Sequence, residues 1–327
     1  MSGVPEEDQS DAGGAERTSR EEFRAQVHAR KADLERQFEV GKAQFDQAQE
    51  KIKARTGRNL ILATLIGLGF GAVLLLSLLV IKELFMLFAV VIAAFASYEL
   101  AQALRKGGYH VPRIPTVVVA VAAVPLAYYG GAGGQLIAVL GGILIVSLWR
   151  LGEQAVPSLR RPGRELARDV AAGAFVQGYV TFLATFAVVL TAAEGGELWT
   201  LAFIAVAVAA DTGAYAFGLM LGKHKMAPVI SPKKTWEGFA GGGAVSLVAG
   251  VLLSTLMLGN TWWFGLIFGA AIFLTATLGD LVESLIKRDI GIKDMSSWLP
   301  GHGGFLDRLD SILPSAAVAF VAFRIFG

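Results

Sequence analysis

The sequence predicts an all-α polytopic membrane protein, with about nine transmembrane helices behind a polar, partly helical N-terminal extension. Three observations carry that prediction: an apolar composition, a series of apolar runs long enough to cross a bilayer, and basic residues that alternate between the loops joining them. Of 327 residues, 54% are hydrophobic and only 17% charged, and the mean hydropathy is positive, which an ordinary water-soluble domain does not show. The 39 glycines are spread through the apolar runs, where small residues let transmembrane helices approach closely. The absence of cysteine excludes disulfides, thiolate zinc sites and cysteine nucleophiles. A formal net charge of +2 gives no argument for nucleic-acid binding.

Residues 1–58 form the extension, expected on the cytoplasmic side. No apolar core of a secretory signal is present there, so the N-terminus is expected to stay on the chain. The first 16 residues, rich in Ser, Gly, Asp and Glu, read as disordered. Between Phe23 and Ile52 the residues Phe23, Val27, Leu34, Phe38, Phe45 and Ile52 fall on one narrow stripe at helical periodicity. Gly41 interrupts that helix and its charges are balanced, so a solvated extension is preferred over a membrane-surface helix. The remaining chain, 59–327, carries the transmembrane domain. Its apolar runs lie near 59–80, 84–103, 114–130, 135–149, 169–192, 197–220, 239–258, 262–286 and 312–326, the fourth and last being the shortest. Each suits a crossing of about 30 Å of hydrocarbon.

Charge placement tests these runs independently, because Lys and Arg accumulate in cytoplasmic loops. Lys51, Lys53, Arg55 and Arg58 precede the first span. Arg105, Lys106 and Arg113 follow the second, and Arg150, Arg160, Arg161, Arg164 and Arg168 follow the fourth. Lys223, Lys225, Lys233 and Lys234, then Lys287, Arg288, Lys293 and Arg308, occupy the last two inside loops. The intervening outside loops hold Lys82 with Glu83, the glycines 130, 131, 133 and 134, and Glu194 with Glu197. An odd number of spans, a cytoplasmic N-terminus and an outside C-terminus follow.

Two inside segments, 211–238 and 279–311, are richer in reactive side chains than connectors need to be. Asp280, Glu283, Ser284 and Lys287 share one face at the end of a helix, at a depth where an ionisable group needs a partner, a metal or water. If the following loop folds back, Asp280 and Asp307, with Asp310 beside them, converge as hard oxygen ligands that suit Mg²⁺ or Mn²⁺ rather than zinc. A sparse carboxylate set amid cations points to phosphate chemistry, since Mg²⁺ fills its other positions with water and substrate phosphate. Lys233, Lys234, Lys287, Arg288, Lys293 and Arg308 could balance phosphate charge. Gly301, Gly303 and Gly304 around His302 could bring backbone N–H groups to phosphate oxygens, and Ser231 and Thr235 could donate hydroxyl bonds. Blander roles compete with these: Arg105, Arg160 and Arg161 read as topological anchors, Asp211 could be a satisfied polar residue of the bundle, and His302 could bond only within its own turn. No G-x-x-x-x-G-K-[ST] run exists, which disfavours a P-loop enzyme.

Ser284, Lys287 with Arg288, Lys293 with Asp294, Ser296, Leu299, Pro300, His302 to Gly304, Asp307, Arg308 and Asp310 together resemble the long motif of the phosphatidate cytidylyltransferase family, bacterial type. Asp211 to Gly218 and Ser231 to Gly238 resemble two further elements, so the likeness is specific over roughly the last 120 residues. Leu219 departs from it by standing where a basic residue is common. The resemblance implies CTP and phosphatidic acid as substrates, CDP-diacylglycerol and pyrophosphate as products, Mg²⁺ on Asp280 and Asp307 with room for a monovalent cation, and a multi-pass location in the inner membrane. A homodimer is compatible with it. Within that reading Asp280, Asp307, Asp310, Lys287 and Arg288 are the catalytic set. Asp211, Ser231, Lys233, Lys234, Thr235, Ser284, Lys293, His302, Gly303, Gly304 and Arg308 bind substrate. The rivals are a CTP-dependent polyprenol kinase and, from another class, a transporter. A transporter would show internal repeats and mid-membrane charges, whereas the charges here gather at one face.

Overall fold

The computed structural model describes residues 60–292, 295–296 and 304–327, with side chains from residue 67 onward. The chain divides into two compact units, 1–63 and 64–327, and the elements that form the site all belong to the second. Residues 1–58, including the expected disordered start and amphipathic helix, lie outside the described residues, as do Lys293, Asp294 and residues 297–303.

The helices are α1 (Leu60–Leu79), α2 (Lys82–Lys106), α3 (Arg113–Gly152), α4 (Gly163–Val176), α5 (Leu183–Ala192), α6 (Gly196–Leu221), α7 (Trp236–Leu256), α8 (Trp262–Asp289) and α9 (Ile312–Phe326). A wider helical stretch, Gln177–Phe182, joins α4 to α5 without a break. Among the described residues, six segments are long and apolar enough to cross a membrane, and the apolar stretches Gly67–Leu79 and Ile312–Phe326 are shorter. Ile114, Ile137 and Leu256 are among the large apolar side chains left on the outer surface, 71–82% exposed, as expected of surface that faces hydrocarbon.

Helix α3 is the one element whose length misleads. Its candidate span covers 43 residues, which as a straight rod would be about 65 Å, twice the hydrocarbon thickness. The backbone instead reverses at Gly131, where φ is 58° and ψ −147°. A Cβ on Gly142 would stand 2.3 Å from Val119 Cγ1. Along a straight helix those residues would be about 34 Å apart. The element is therefore an antiparallel pair of helices around the glycine turn. Only glycine adopts the Gly131 conformation without strain, so this apparently bland loop is structurally required.

Loops assigned to the same side by charge meet in space. Lys82 pairs with Glu197 at 2.7 Å, joining two loops read as outside. Arg161 Nη1 donates to the Gly108 carbonyl at 2.9 Å, and Arg288 Nε to the Ile230 carbonyl at 3.3 Å, both between loops read as inside. Arg150 differs from its reading as a loop cation. It ends α3 fully buried and donates from Nε and Nη2 to Asp169 Oδ2 at 3.1 and 2.9 Å, while the His110 N–H donates to Oδ1 at 2.7 Å. Asp169→Ala would leave the buried guanidinium with only the more distant Glu153 carboxylate, 3.9 Å away. Detergent-solubilised protein should lose about 3–5 kcal/mol of stability, read as a drop in thermal midpoint.

Apolar residues of α5, α6, α8 and α9 form one core cluster, including Trp199, Phe203, Phe264 and Phe268. Helices α6, α7 and α8 approach through glycine. A Cβ on Gly242 would lie 2.9 Å from the Ala210 carbonyl oxygen, and one on Gly250 2.4 Å from that of Gly265. Hydrocarbon gives helices no hydrophobic reason to associate, so such close backbone packing carries the association. The purely helical expectation misses one element: Lys225–Ala227 (β1) and Ser231–Thr235 (β2) form a small antiparallel hairpin. Short polar segments with Pro and Lys gave it no legible period.

Candidate active site

A polar cavity of about 680 Å³ lies where α6, the β-hairpin and the start of α7 meet α8 and the turn before α9. Each wall has a local reason for its place. Thr235 ends the hairpin in extended geometry and accepts the Gly238 N–H at 3.2 Å, capping α7. Glu237, in the first turn of α7, accepts the N–H groups of Lys223 and His224, tying the hairpin back to α6. Lys233 and Lys234 stand on β2 and line the cavity together with Lys225 from β1.

Asp211, Asp280, Asp307, Arg308 and Asp310 line the same cavity, so the structure brings together carboxylates from α6, α8 and the 3-10 turn Leu306–Arg308. Gly279 makes the α8 contact possible, since a Cβ there would stand 2.0 Å from the Asp310 carbonyl oxygen. Gly279→Ala must push α8 from the turn and separate Asp280 from Asp310. Turnover should fall at least about 100-fold, because misplacement by about 1 Å costs that much, while secondary structure by circular dichroism stays unchanged.

The carboxylates have defined partners. Asp280 accepts Lys234 Nζ on Oδ2 at 2.7 Å and Ser284 Oγ on Oδ1 at 3.3 Å. Asp307 accepts Lys287 Nζ at 2.9 Å and the Gly304 N–H at 2.7 Å. Burial alone would raise Asp307, but the Gly304 N–H and the Lys287 ammonium outweigh it and hold this carboxyl below its ordinary range. Asp310 goes the other way, pushed up to about 7 by burial first and by the charges of Asp280 and Asp211 after it. Asp211 accepts Ser311 Oγ at 2.9 Å. Excess negative charge on one wall faces lysines on the other. Among the described residues no three His, Cys, Asp or Glu side chains already form a metal cage. Two hard carboxylates beside open space fit Mg²⁺, which takes its remaining ligands from water and phosphate.

Some expected residues stand elsewhere. Lys287 does not line the cavity; it sits 15% exposed between Glu283, at 2.7 Å, and Asp307. Its ammonium positions a carboxylate. Arg288 faces the Ile230 carbonyl, Ser231 lies in the hairpin outside the cavity lining, and Ser284 orients Asp280. Gly304 supplies its N–H to Asp307, not to open space. Lys293, His302 and Gly303 lie outside the described residues.

Sequence reasoning missed Glu99. This α2 side chain is 1% exposed and accepts the N–H groups of Phe305 at 3.0 Å and Leu306 at 2.9 Å, together with Ser296 Oγ. It fixes the turn that presents Asp307. An ionisable residue inside an apolar run was the available signal. Lys225, Tyr215 and Thr277 also line the cavity and were not singled out as binding residues.

A helical domain with several membrane-crossing segments thus encloses a cavity lined by carboxylates and lysines, side chains of the kind that handle metal ions and phosphates. The chain belongs to the cytidylyltransferase family, which it matches over residues 61–326. It is 40% identical over 277 residues to a protein named phosphatidate cytidylyltransferase from Mycobacterium bovis, covering 82% of this chain and 89% of the relative. A protein of the same name from Mycobacterium leprae is 37% identical over 274 residues, 81% of this chain and 88% of that one.

Proposed function

We propose that this chain is a phosphatidate cytidylyltransferase, transferring CMP from CTP to phosphatidic acid to give CDP-diacylglycerol and pyrophosphate. The observation that carries this is the cavity in which Asp280, Asp307 and Asp310 face Lys225, Lys233 and Lys234, in a chain whose relatives bear that name over most of their length.

A phosphate monoester has its second pKa near 6, so the lipid phosphate is already a charged nucleophile at neutral pH and needs no general base. One of its oxygens attacks the α-phosphorus of CTP in line. The new P–O bond forms as the bond to the bridging oxygen of pyrophosphate breaks, and the leaving group carries the electron pair. Asp280 and Asp307 would hold Mg²⁺, with Mn²⁺ as a substitute and a monovalent cation as a further occupant; the ion supplies neutralisation of triphosphate charge. Lys233, Lys234 and Lys225 clamp phosphate oxygens, and Arg308 takes the lipid phosphate. Asp211 and Asp310 hold Ser311 and the start of α9 in place. Catalysis is then positioning and charge compensation, with no covalent enzyme intermediate.

The topology completes the reading: nine spans, counting the α3 pair as two and α1 and α9 as one each, in the cytoplasmic membrane with the N-terminus and the cavity inside. The contacts of Lys82 with Glu197, Arg161 with Gly108 and Arg288 with Ile230, each between loops of like side, support it. A reporter active only in the cytoplasm, fused after Gly327, should stay silent. For the chemistry, purified protein is incubated with α-labelled CTP, Mg²⁺ and phosphatidic acid. Labelled CDP-diacylglycerol with unlabelled pyrophosphate is the expected pair of products. Labelled CDP with a newly phosphorylated lipid would establish the kinase reading instead.

A further inference from the structure

We propose that the segment joining α3 to α4 is a binding site for the headgroups of anionic phospholipids, apart from the reaction cavity, with Arg160, Arg164 and Arg168 as its cations and Trp149, Leu151 and Val156 as its apolar edge. Trp149 and Leu151 stand in the last turn of α3 and Val156 just beyond it, 45–52% exposed. The three arginines follow, all on the surface, and none of the six residues lines the polar cavity. The segment is fixed in place. Arg160 Nε donates to the Gln154 carbonyl at 3.3 Å and the Arg161 N–H to Gln154 Oε1 at 3.1 Å. Arg168 Nη2 donates to the Tyr109 hydroxyl at 3.3 Å, its guanidinium 5.0 Å from the centre of that ring. Each acid of the segment is turned to another cation: Glu153 to His110 at 2.9 Å, Asp169 to Arg150 at 2.9 Å, and Glu165 to Arg161 at 3.9 Å. Among the described residues no carboxylate pairs with Arg160, Arg164 or Arg168.

Arg164 and Arg168 lie four residues apart on α4, so they share a face and repel each other. An anion held between them offsets that repulsion, and guanidinium forks match phosphate oxygens in paired hydrogen bonds. Depth decides where the phosphate comes from. Exposed tryptophan and aliphatic side chains at the end of a membrane-crossing helix mark the boundary between hydrocarbon and headgroups. The α3 crossing ends there, and the next crossing, Gly163–Ala192, starts back from the same loop, which sets the arginines at the level of bilayer phosphates. A soluble anion would have no use for the apolar edge. A lipid uses both parts, its phosphate against the arginines and its glycerol and first methylenes against Trp149, Leu151 and Val156. A purely topological anchor needs positive charge alone, with no fixed arrangement, whereas these guanidinium groups are tethered to Gln154 and Tyr109. Basic residues near a membrane surface each contribute about fivefold to the occupancy of anionic lipid, so three favour it over a zwitterionic lipid by about 100-fold.

The test uses the full-length protein in phosphatidylcholine nanodiscs that hold a small fraction of phosphatidylglycerol with a photoreactive group on its headgroup. Phosphatidylglycerol is anionic but carries a phosphodiester, so it is no nucleophile for cytidylyl transfer and the outcome does not depend on the reaction proposed above. Labelling should fall on the stretch from Trp149 to Arg168, and unlabelled phosphatidylglycerol should displace it where the same amount of phosphatidylcholine does not. Arg160→Gln, Arg164→Gln and Arg168→Gln combined should lower the labelling at least about tenfold. The thermal midpoint should hardly move, because all three side chains are on the surface. Equal displacement by phosphatidylcholine would make the contact ordinary boundary lipid. Displacement by inorganic phosphate would make the ligand a soluble anion, and labelling untouched by the triple variant would remove the arginines from the site. Each of these results overturns the proposal. Should the triple variant fail to insert, competition on the unaltered protein decides the matter alone.

Discussion

Asp307→Asn and Asp280→Asn each lower CTP-dependent formation of CDP-diacylglycerol by about 10³-fold or more, with the protein still folded and extractable. Both changes keep the side-chain shape and remove one negative charge from a site proposed to gather and neutralise phosphates. The two differ in what they do to stability. Asp280 pairs with Lys234 where the side chains are 34% and 23% exposed, so losing that pair costs under about 1 kcal/mol. Asp307 is 8% exposed and shares Lys287 with the fully buried Glu283, so its replacement leaves that ammonium with one carboxylate in place of two. A loss of about 1–3 kcal/mol is expected there, read as a lower thermal midpoint. Residual turnover in either variant should require more Mg²⁺ than the unaltered enzyme, which assigns the loss to the ion site. Near-normal turnover by either variant would remove its carboxylate from that site.

Legibility in the sequence followed the range of the interaction. Hydropathy reports each residue's solvent, so the apolar runs were readable one by one, and the break at glycines 130–134 marked the α3 reversal that helix length alone conceals. Spacing along one helix reports neighbours within a turn or two, so the intervals between Asp280, Ser284 and Lys287 are enough to place them on one face. What each of them touches could not be read, because their partners come from other elements. Lys287 looked like a phosphate ligand among cations, and the structure turns it onto Glu283 and Asp307. Arg150 looked like one of several loop arginines, yet it is buried against Asp169. The β-hairpin bearing Lys233 and Lys234 was invisible, because its register is set by the ends of α6 and α7 and by no alternation of its own.

Glu99 shows how far the site depends on a distant element, and its replacement should produce the second large effect. Its carboxylate accepts the N–H groups of Phe305 and Leu306, and the Phe305 ring stacks on Phe95 at 4.6 Å, four residues before Glu99 on the same helix. A Cβ on Gly304 would be 2.7 Å from Glu99 Oε2, so the loop lies directly against the acid. Glu99→Ala leaves two backbone donors unpaired where the turn is buried, a cost of about 1–3 kcal/mol each. Stability should fall by several kcal/mol and turnover by about 100-fold, since Asp307 loses its platform. Glu99→Gln separates the two effects. It keeps the volume and one acceptor oxygen, so the thermal midpoint should recover most of the loss. Its amide nitrogen faces one of the backbone N–H groups, so the turn stays slightly displaced and kcat remains about tenfold low, with KM for CTP little changed. A Gln variant with full kcat would show that one acceptor oxygen is enough to hold the turn and that the second bond and the charge play no part in positioning Asp307, and a rise confined to KM for CTP would place Glu99 in nucleotide binding in place of that positioning.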